Sequence, residues 1–340
     1  MTALIKCVVW DLDRTLLPGV TLEGGPVELL PGVRAVLTEL TSRGILNSIA
    51  SRNPPSLAEP VLAELPVPFV APQFGWGSKA DSLKQIADEL NLDVASLAFV
   101  DDDPYERAAV SFAMPQVMVL APEDVKGALD WPELRPAAIT EEGARRAESY
   151  RNAQRRTEAM AGFGRDRAAF HRYCETTVHI WAAHTADVPR LHELSVRTTQ
   201  FNSAGAGMPE AELAGKIESP HHRVICVRLR DRFGDDGLVG AAVVTTQPEA
   251  WTVELLMMSC RAMGRGVIET LLAELSAQAV ADEAAELRIP LNVNDRNVPL
   301  RLAMVSAGFR ADNGSVPIFA RSLTGPQPAP PEWITIVRQS

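Results

Sequence analysis

Short apolar runs alternate with amphipathic stretches over the first third of the chain. Four runs rich in Val, Ile and Leu are typical of buried strands, at residues 5–10, 46–50, 98–100 and 117–120. Between them, residues 32–42 and 79–90 are amphipathic, and Leu83, Ile86 and Leu90 of the second stretch fall on one helical face. Strands that alternate with helices in this way predict a parallel, doubly wound sheet.

A different pattern begins after residue 173. Three segments are typical of successive strands, at residues 224–230, 238–245 and 251–258. Residues 231–237 predict a turn-rich link between the first two, and a long helix over 266–285 and a strand over 287–293 follow. The predicted fold class is therefore α/β, with a doubly wound parallel-sheet domain followed by an α+β domain.

The length of the chain and its proline-rich stretches predict where the domains meet. A chain of 340 residues is longer than one ordinary domain, so we expect two. Proline is frequent over residues 121–136, which indicates a domain edge, and again over residues 325–331, which indicates an extended tail. We predict a first domain over residues 1–136, an Arg-rich helical linker over 137–172, a second domain over 173–324 and a Pro-rich tail over 325–340.

Composition and charge exclude several classes of function. The formal net charge of −10 argues against a nucleic-acid partner, because phosphate backbones are bound by basic surfaces. No apolar run reaches the roughly 18 residues that a membrane-spanning helix needs, so we expect no membrane partner. The N-terminus lacks the pattern of a secretory leader, and Cys7, Cys174, Cys226 and Cys260 form no CxxC pair. We therefore expect a cytoplasmic protein without disulfide bonds.

Two carboxylates directly follow the first predicted strand. Asp11 and Asp13 are separated by one residue, which places both on the same side of an extended chain. Such a pair suits one nucleophile and one general acid/base, provided that a cation offsets their mutual repulsion.

Further polar residues follow the later strands in order. Ser51 and Asn53 come after the second strand, Lys79 begins a helix, and residues 101–103 are three aspartates after another strand. Aspartates clustered at two strand ends predict a Mg²⁺ site, and a lysine and a hydroxyl nearby would hold a phosphoryl group. The alternative is that these are solvated loop carboxylates, but four features in order at strand or helix ends favour a site.

A glycine-rich loop at residues 260–266 follows a predicted strand and opens the long helix. Glycines let a backbone approach a phosphate closely, and a helix N-terminus favours an anion; a tight turn before an ordinary helix is the alternative. Cys260 stands beside Arg261 at the start of this loop, where a nearby cation favours the thiolate. Cys260 is therefore a candidate nucleophile for acyl groups, and the alternative is a small buried residue.

The acidic and polar residues that follow the strands of the first half resemble those of the haloacid dehalogenase (HAD) phosphotransferase superfamily. The resemblance implies these roles: Asp11 as nucleophile, Asp13 as acid/base, Ser51 as the motif II hydroxyl, Lys79 as the motif III lysine, and Asp101 and Asp102 as the acidic motif IV. It implies an aspartyl-phosphate on Asp11 and Mg²⁺ held by Asp11, the backbone carbonyl of Asp13, and Asp101 or Asp102. The residues expected to bind phosphate are Thr15, Ser51, Arg52, Asn53 and Lys79. Arg14 departs from the pattern, since Asn is usual there.

The second half resembles the GNAT acyltransferase fold through the RxxGxG spacing at residues 261–266. The resemblance implies that Arg261, Gly264, Arg265 and Gly266 contact a pantetheine arm. Gln200 and Asn202 are candidates to bind acyl hydroxyls; helix C-capping is the alternative for both.

The two halves together resemble the FkbH-like family, HAD subfamily IIIC, over about residues 5–309. The segments that carry this resemblance are CVVWDLD at 7–13, LEG at 22–24, IASRN at 49–53, PQFGWGSK at 72–79, FVDDDPYE at 99–106, RTTQFN at 197–202, DRFGD at 231–235 and LMMSCR at 256–261.

This resemblance implies a glyceryl transferase/phosphatase of polyketide biosynthesis. Such an enzyme takes the glyceryl group of 1,3-bisphosphoglycerate, removes phosphate and loads the group as a thioester onto an acyl carrier protein, for methoxymalonyl or tetronate units. Two alternatives stay open: a phosphatase for a small metabolite with the second half as a lid, and a non-catalytic module that binds carrier proteins. The intact acidic cluster argues against the non-catalytic alternative.

Arginines are concentrated between the two predicted domains. Eight of them lie between Arg145 and Arg172, against three acidic residues. Since acyl carrier proteins are typically acidic, this segment is a candidate docking surface. The alternative is a solvated linker helix.

Overall fold

The computed structural model describes residues 4–21, 27–136, 138–312 and 314–339. Residues 22–24, one of the segments that carry the resemblance, lie outside the described residues. Contacts divide the chain into two compact units, Met1–Arg151 and Asn152–Ser340. This division falls inside the segment predicted as a linker, within a helix that runs from Arg146 to Ala161.

The first unit is built around a parallel sheet. Its described strands are β1 (Cys7–Trp10), β2 (Leu46–Ser51), β3 (Gln73–Phe74), β4 (Leu97–Val100) and β5 (Met118–Leu120). Its described helices are α1 (Val33–Ser42), α2 (Pro55–Glu64), α3 (Lys79–Glu89), α4 (Pro104–Ala113), α5 (Val125–Ala128), α6 (Glu141–Ala144) and the start of α7 (Arg146–Ala161).

The strand order in this sheet is β3-β2-β1-β4-β5, and all neighbours are parallel. The chain adds β2 and β3 on one side of β1 and then returns to place β4 on the other side. The sheet is therefore doubly wound, which confirms the predicted fold class of the first half. The order reverses between β1 and β4, where ligands of such sheets bind at the carboxyl ends of the strands.

Alternating residues of β1 enter two separate cores. Val8 and Trp10 pack with α1 on one face of the sheet, and Cys7 and Val9 pack with α3 on the other. A strand buried on both faces requires a continuous apolar run, which is the pattern seen in the sequence. Burial raises the pKa of the Cys7 thiol, as expected for a residue that only fills the core.

The second unit contains a mixed sheet with helices packed on it. Its described strands are β6 (Thr177–Ala182), β7 (His222–Asp231), β8 (Gly234–Thr246), β9 (Trp251–Met258), β10 (Glu286–Pro290), β11 (Arg310–Ala311), β12 (Ile318–Ser322) and β13 (Thr335–Arg338). After α7, its described helices are α8 (Arg167–Cys174), α9 (Val188–Arg197), α10 (Glu210–Glu218), α11 (Val267–Ala281) and α12 (Val298–Ser306).

In this sheet the order is β11-β12-β10-β9-β8-β7-β6-β13, with antiparallel pairs through β6 to β9 and a parallel pair between β9 and β10. The predicted α+β layout of the second half is thus confirmed. The link expected over residues 231–237 is much shorter, because β7 continues to Asp231 and β8 begins at Gly234. The last residues also differ from the expected tail, since β13 pairs in parallel with β6 from Thr335 opposite Thr177.

β9 and β10 pair only at their first residues and then diverge. The paired residues are Leu287 with Trp251 and Arg288 with Thr252. Farther along, backbone from Phe201 to Ser203 lies against β9: Ser203 N donates to the carbonyl of Leu256 at 3.0 Å, and Met258 N donates to that of Phe201 at 2.9 Å. The opening between the two strands is therefore occupied by the chain's own backbone.

Candidate active site

The predicted acidic residues of the first unit meet at the reversal point of the sheet. Asp11 follows β1, and its backbone N–H donates to the carbonyl of Val100 at the end of β4, at 2.8 Å. Asp101 follows Val100 directly. The parallel strands thus bring Asp11 and Asp101 to one edge, as the sequence predicts.

Lys79 lies at the centre of this site. Ser78 caps α3 by accepting a backbone N–H bond from the first turn at 3.1 Å, so the helix begins at Lys79. Only 4% of Lys79 is exposed. Its Nζ donates to Asp11 Oδ1 and to the carbonyl of Ala50, and lies 3.4 Å from Asp101 Oδ2. One ammonium group therefore connects the ends of β1, β2 and β4.

Burial determines the ionisation of the two inner carboxyl groups. It raises the pKa of Asp11 to about 6, against the lowering effect of Lys79. Burial also raises the pKa of Asp101, again against Lys79. The negative charges of Asp101 and Asp13 also raise the pKa of Asp11. A further cation beside Asp11 and Asp101 would favour the charged forms of both.

Asp13 is oriented by neighbours on two loops. Its Oδ1 accepts hydrogen bonds from the backbone N–H of Thr21 at 2.8 Å and from the Thr21 hydroxyl at 2.5 Å. Its Oδ2 accepts from Asn53 Nδ2 at 2.9 Å, and the same amide donates to Ser51 Oγ at 3.0 Å. Asn53, predicted to bind phosphate, therefore holds the carboxylate in place, and its phosphate contact stays a prediction.

The loop after β4 is held by side chains that the sequence analysis did not assign to it. Thr15 is fully buried, and its hydroxyl accepts from the backbone N–H of Asp102 at 3.0 Å. Arg107 donates through Nη1 to the carbonyls of Asp101 and Asp102 at 2.6 and 2.8 Å. Asp103 caps α4 by accepting from the N–H of Tyr105 at 2.8 Å, ahead of Pro104 at the first helical position. Thr15 thus positions Asp102, and its phosphate contact also stays a prediction.

The donor set fits a magnesium ion. Carboxylate oxygens of Asp11, Asp101 and Asp102 all lie within 4.8 Å of one another. Asp101 Oδ2 is buried and has no hydrogen-bond partner, so it is available as a ligand. Mg²⁺ prefers a small number of carboxylate oxygens and completes its shell with water and substrate phosphate.

These residues surround an open cleft of about 270 Å³. It is lined by Asp11, Asp13, Arg14, Val20, Ser51, Arg52, Lys79, Asp101, Asp102, Asp103 and Glu106. Arg52, predicted to bind phosphate, forms an ion pair with Glu106 of α4 at 2.5 Å. Glu106 and Arg107 lie in or next to a segment that carries the resemblance, but their contacts depend on the fold of the loop and have no sequence signal of their own.

Arg14 adopts a left-handed backbone conformation with φ of 55° beside Asp13. Asn tolerates this conformation better than long side chains do. The left-handed conformation is therefore a physical reason why Asn is usual at this position, where this chain has Arg14.

In the second unit, Cys260 begins a short 3₁₀ turn, Cys260–Ala262, directly after β9. It is partly exposed, whereas Cys7, Cys174 and Cys226 are buried. Arg261 donates through Nε to Ser259 Oγ at 3.2 Å, and its Nη1 is buried without a hydrogen-bond partner. Cys260 thus occupies an accessible position next to a cation that has donor capacity to spare.

The side chain of Arg265, which is predicted to contact a pantetheine arm, has other partners in the structure. It is buried, and its guanidinium forms ion pairs with Asp231 at 2.7 Å and with Asp236. Asp231 also pairs with Arg156 at 2.6 Å. The Arg265 side chain is therefore committed to a buried ion-pair cluster, and a contact of this residue with a pantetheine arm stays a prediction.

The two residues expected to bind acyl hydroxyls lie on the loop after α9. Asn202 is buried, and its Nδ2 donates to the carbonyls of Ser195 and Ala206 at 3.0 and 3.2 Å, while its Oδ1 accepts from Gly205 N at 2.9 Å. Asn202 therefore fastens this loop to the end of α9, which is similar to the helix C-capping given as the alternative interpretation. Gln200 is half-buried, and a substrate contact by either residue stays a prediction.

The Arg-rich segment presents fewer cations than its sequence suggests. Arg146 is buried and donates to the carbonyl of Gly44 at 2.8 Å, and Arg156 is paired with Asp231. Burial also lowers the pKa of Arg156, and the charge of Arg265 adds to this effect. The exposed arginines of the segment are Arg145, Arg151, Arg155, Arg165, Arg167 and Arg172.

Gly266 is the tightest position of the glycine-rich loop. Its φ is +76°, and a Cβ there would lie 2.6 Å from Ile334 Cδ1 and 2.9 Å from Pro331 Cγ. Gly264 has a similar φ of +71°, but a Cβ there would meet nothing within 4 Å. We expect Gly266→Ala to lower the free energy of unfolding by about 2–4 kcal/mol through backbone strain and overpacking, and Gly264→Ala by only about 1–2 kcal/mol through strain alone.

Urea unfolding of both variants measures this difference, and equal losses at the two positions would contradict it. Since Pro331 and Ile334 precede or adjoin β13, limited proteolysis of the C-terminal segment should also become faster in Gly266→Ala than in Gly264→Ala.

Among the described residues, no helix combines the length and the apolar character needed to cross a bilayer.

Comparisons with known proteins give partial similarities. No protein-family model matches the chain, and no curated protein matches it. It is similar to the N-terminal part of BF1531 from Bacteroides fragilis, which contains a phosphatase domain complexed with Mg, at 26% identity over 37% of this chain and 39% of the other, with a TM-score of 0.33. It is also similar to the ribosomal-protein-S18-alanine N-acetyltransferase from Escherichia coli, at 15% identity over 44% of this chain and 96% of the other, with a TM-score of 0.33. The PaiA N-acetyltransferase from Thermoplasma acidophilum, in complex with coenzyme A, is similar at 16% identity over 43% of this chain and 98% of the other, with a TM-score of 0.35.

Proposed function

We propose that this chain transfers the glyceryl group of 1,3-bisphosphoglycerate, with dephosphorylation, onto an acyl carrier protein, and so supplies glyceryl units for polyketide biosynthesis. The observation that carries the proposal is the partly buried Asp11, held by Lys79, beside Asp13 and the acidic loop at the reversal point of a parallel sheet. The donor identity, the carrier protein and the pathway come from the sequence resemblance.

In the dephosphorylation step, a carboxylate oxygen of Asp11 attacks the phosphorus of the phosphate ester. Lys79 holds Oδ1 of Asp11, which directs the other oxygen towards the substrate. The bond from phosphorus to the sugar-acid oxygen breaks, and Asp13 gives a proton to that oxygen. Asp13 then takes a proton from water as the water attacks the aspartyl-phosphate, which releases inorganic phosphate and restores Asp11. Bound Mg²⁺ would offset the negative charge on the phosphoryl oxygens.

In the acyl-transfer step, the Cys260 thiolate attacks the carbonyl carbon of the acyl phosphate. The bond from that carbon to the phosphate oxygen breaks, phosphate leaves and a thioester forms on the cysteine. The thiol of a carrier-protein pantetheine arm then attacks this thioester, takes the acyl group and returns the thiolate. Arg261 directly follows Cys260 in the 3₁₀ turn after β9.

The test is an incubation of the protein with Mg²⁺, 1,3-bisphosphoglycerate and a phosphopantetheinylated carrier protein, followed by intact-protein mass spectrometry. We expect the carrier to gain the mass of one glyceryl unit. No gain would contradict the proposal. Phosphate release that is independent of the carrier, without acylation of the carrier or of Cys260, would instead support a phosphatase for a small metabolite.

Cys260→Ala should abolish acylation of the carrier while phosphate-ester hydrolysis stays within about twofold of the wild type, because Asp11 does not depend on the thiol. Met263→Ala is a matched control, since Met263 is exposed in the same loop and carries no nucleophile. Acylation that persists in Cys260→Ala would show that the thiol of the carrier attacks the acyl phosphate directly.

A further inference from the structure

Arg52 lies at the mouth of the cleft in the first unit, directly after β2. Its side chain is 47% exposed, and Nη2 lies 2.5 Å from Oε1 of Glu106. The Glu106 side chain is only 7% exposed, because α4 packs this position against the unit. One partner of the pair is thus fixed inside the wall, and the other is long, flexible and open to solvent.

The charges that line the cleft assign different tasks to its cations. Six acidic side chains line it together with Arg14, Arg52 and Lys79, counted over the part of the chain that the structure describes. Lys79 is deep and is occupied by Asp11 and Asp101, so it serves the phosphoryl group that is transferred. Arg107 is bonded to the backbone of the acidic loop. Arg52 lies at the mouth of the cleft, and its partner there is the side chain of Glu106, which also lines the cleft.

A guanidinium group has five N–H donors in a planar fork that matches carboxylate and phosphate oxygens. The ion pair with Glu106 is made through Nη2. An anionic group that enters the cleft can therefore contact the exposed edge of Arg52 or replace Glu106, and a rotation of the arginine side chain is sufficient for the exchange. Glu106 keeps the guanidinium over the mouth until then.

We propose that Arg52 selects substrates that carry a second anionic group, a carboxylate or a second phosphate, beyond the phosphoryl group that is transferred, and that Glu106 holds Arg52 in reserve for it. This proposal rests on the proposed phosphoryl transfer at Asp11 and names the substrate class of that site. Arg52 is then a specificity-determining residue that contacts the part of the substrate that does not react.

The experiment measures binding, so that turnover is not needed. Two phosphonates differ only at the far end: 2-hydroxy-4-phosphonobutanoate carries a carboxylate where 3,4-dihydroxybutylphosphonate carries a hydroxymethyl group. Neither can be dephosphorylated by cleavage of a phosphate ester. Isothermal titration of the full chain with each compound, in the presence of Mg²⁺, gives the ratio of their dissociation constants.

We expect the wild type to bind the carboxylate compound about tenfold more tightly than the hydroxymethyl compound, as one charge-assisted contact supplies. Arg52→Ala should bring this ratio close to one, because it weakens binding of the carboxylate compound about tenfold more than binding of the hydroxymethyl compound. Glu106→Gln should increase the ratio, because it releases Arg52 while preserving the shape of the side chain.

Asp103→Asn is the matched control for charge, since it removes one negative charge from the same lining without touching Arg52 and keeps the cap of α4. It should raise the affinity for both compounds alike. In the double variant Arg52→Ala/Glu106→Gln, the Gln substitution should have no further effect on the ratio.

The proposal is overturned if the wild type does not prefer the carboxylate compound, or if Arg52→Ala leaves the preference unchanged. Equal weakening of both compounds in Arg52→Ala would show that Arg52 acts on the phosphonate that they share, or only supports the wall of the cleft, and would also overturn the proposal. These outcomes do not depend on the carrier protein or on glyceryl transfer. A preserved preference without carrier acylation would therefore remove the proposed function and leave the role of Arg52 intact.

Discussion

Asp11→Asn should slow phosphate-ester hydrolysis by at least about a thousandfold, because it removes the attacking oxygen while the shape of the side chain is kept. The effect should appear in kcat, since the contacts of the substrate with Lys79 and with the mouth of the cleft stay in place. A steady-state phosphate-release assay with a saturating phosphate ester that carries no acyl phosphate measures it, with circular dichroism and a urea titration to confirm the fold.

Asp103→Asn is the comparison for this variant, because it makes the same chemical change in the same cleft at a residue that only caps α4. We expect its kcat to stay within about tenfold of the wild type. If Asp11→Asn retained activity comparable to that of Asp103→Asn, Asp11 would not be the nucleophile, and the proposed dephosphorylation at this site would be wrong.

Lys79→Met should lower the free energy of unfolding of the metal-free protein by about 3–5 kcal/mol near pH 8. The substitution leaves the partly buried Asp11 and the buried Asp101 without the ammonium group that they share. A buried charge that loses its partner is costly, whereas the methionine fills most of the same volume. Chemical denaturation in the presence of EDTA measures the change.

The loss should shrink as the pH falls. Burial raises the pKa of Asp11 to about 6 in the folded protein, above the ordinary value of about 4 for an unfolded chain. A raised carboxyl pKa contributes stability that is present at low pH and is lost as the pH rises through about 6. In Lys79→Met the pKa of Asp11 rises further, because Lys79 lowers it in the wild type. The two proteins should therefore differ most above about pH 6 and least near about pH 4, where the carboxyl groups are neutral.

Lys84→Met is the matched control, because Lys84 lies on the exposed face of the same helix. Its effect should be within about 0.5 kcal/mol and independent of pH. A loss in Lys79→Met that is equally large at pH 4 and pH 8 would mean that Lys79 acts through packing rather than through charge.

The class of each half could be predicted from the sequence because hydrophobic periodicity is a local property. Runs such as residues 98–100 are apolar at every position, as a strand buried on both faces requires, and helices with one apolar face separate them. The two-residue strand β3 escaped prediction because a segment of that length has no period. The pairing of β13 with β6 also had no local signal, since a parallel partner lies far away in the chain.

Which residues can carry chemistry was likewise evident from residue type and from position after a strand. Asp11, Lys79 and Asp101 do meet around one point, since parallel strands bring their carboxyl ends to the same edge. The contacts that orient them were not predictable. Thr21 holds Asp13 only because its loop folds back, and Glu106 reaches Arg52 only because the residues after β2 and after β4 come to the same edge of the sheet.

The sequence by itself determined the alternation of strands and helices, the identity of the acidic and cationic residues, and their order at strand ends, because these depend only on neighbours along the chain. Only the tertiary structure decided where side chains of similar chemistry point. Arg265 follows a glycine in a loop that resembles a phosphate-binding one, yet Asp231 and Asp236 bury its guanidinium. The direction of the Arg265 side chain depends on which distant carboxylates the sheet brings near. Because a buried charge without a partner is costly, the guanidinium pairs with carboxylates that the fold already holds in place.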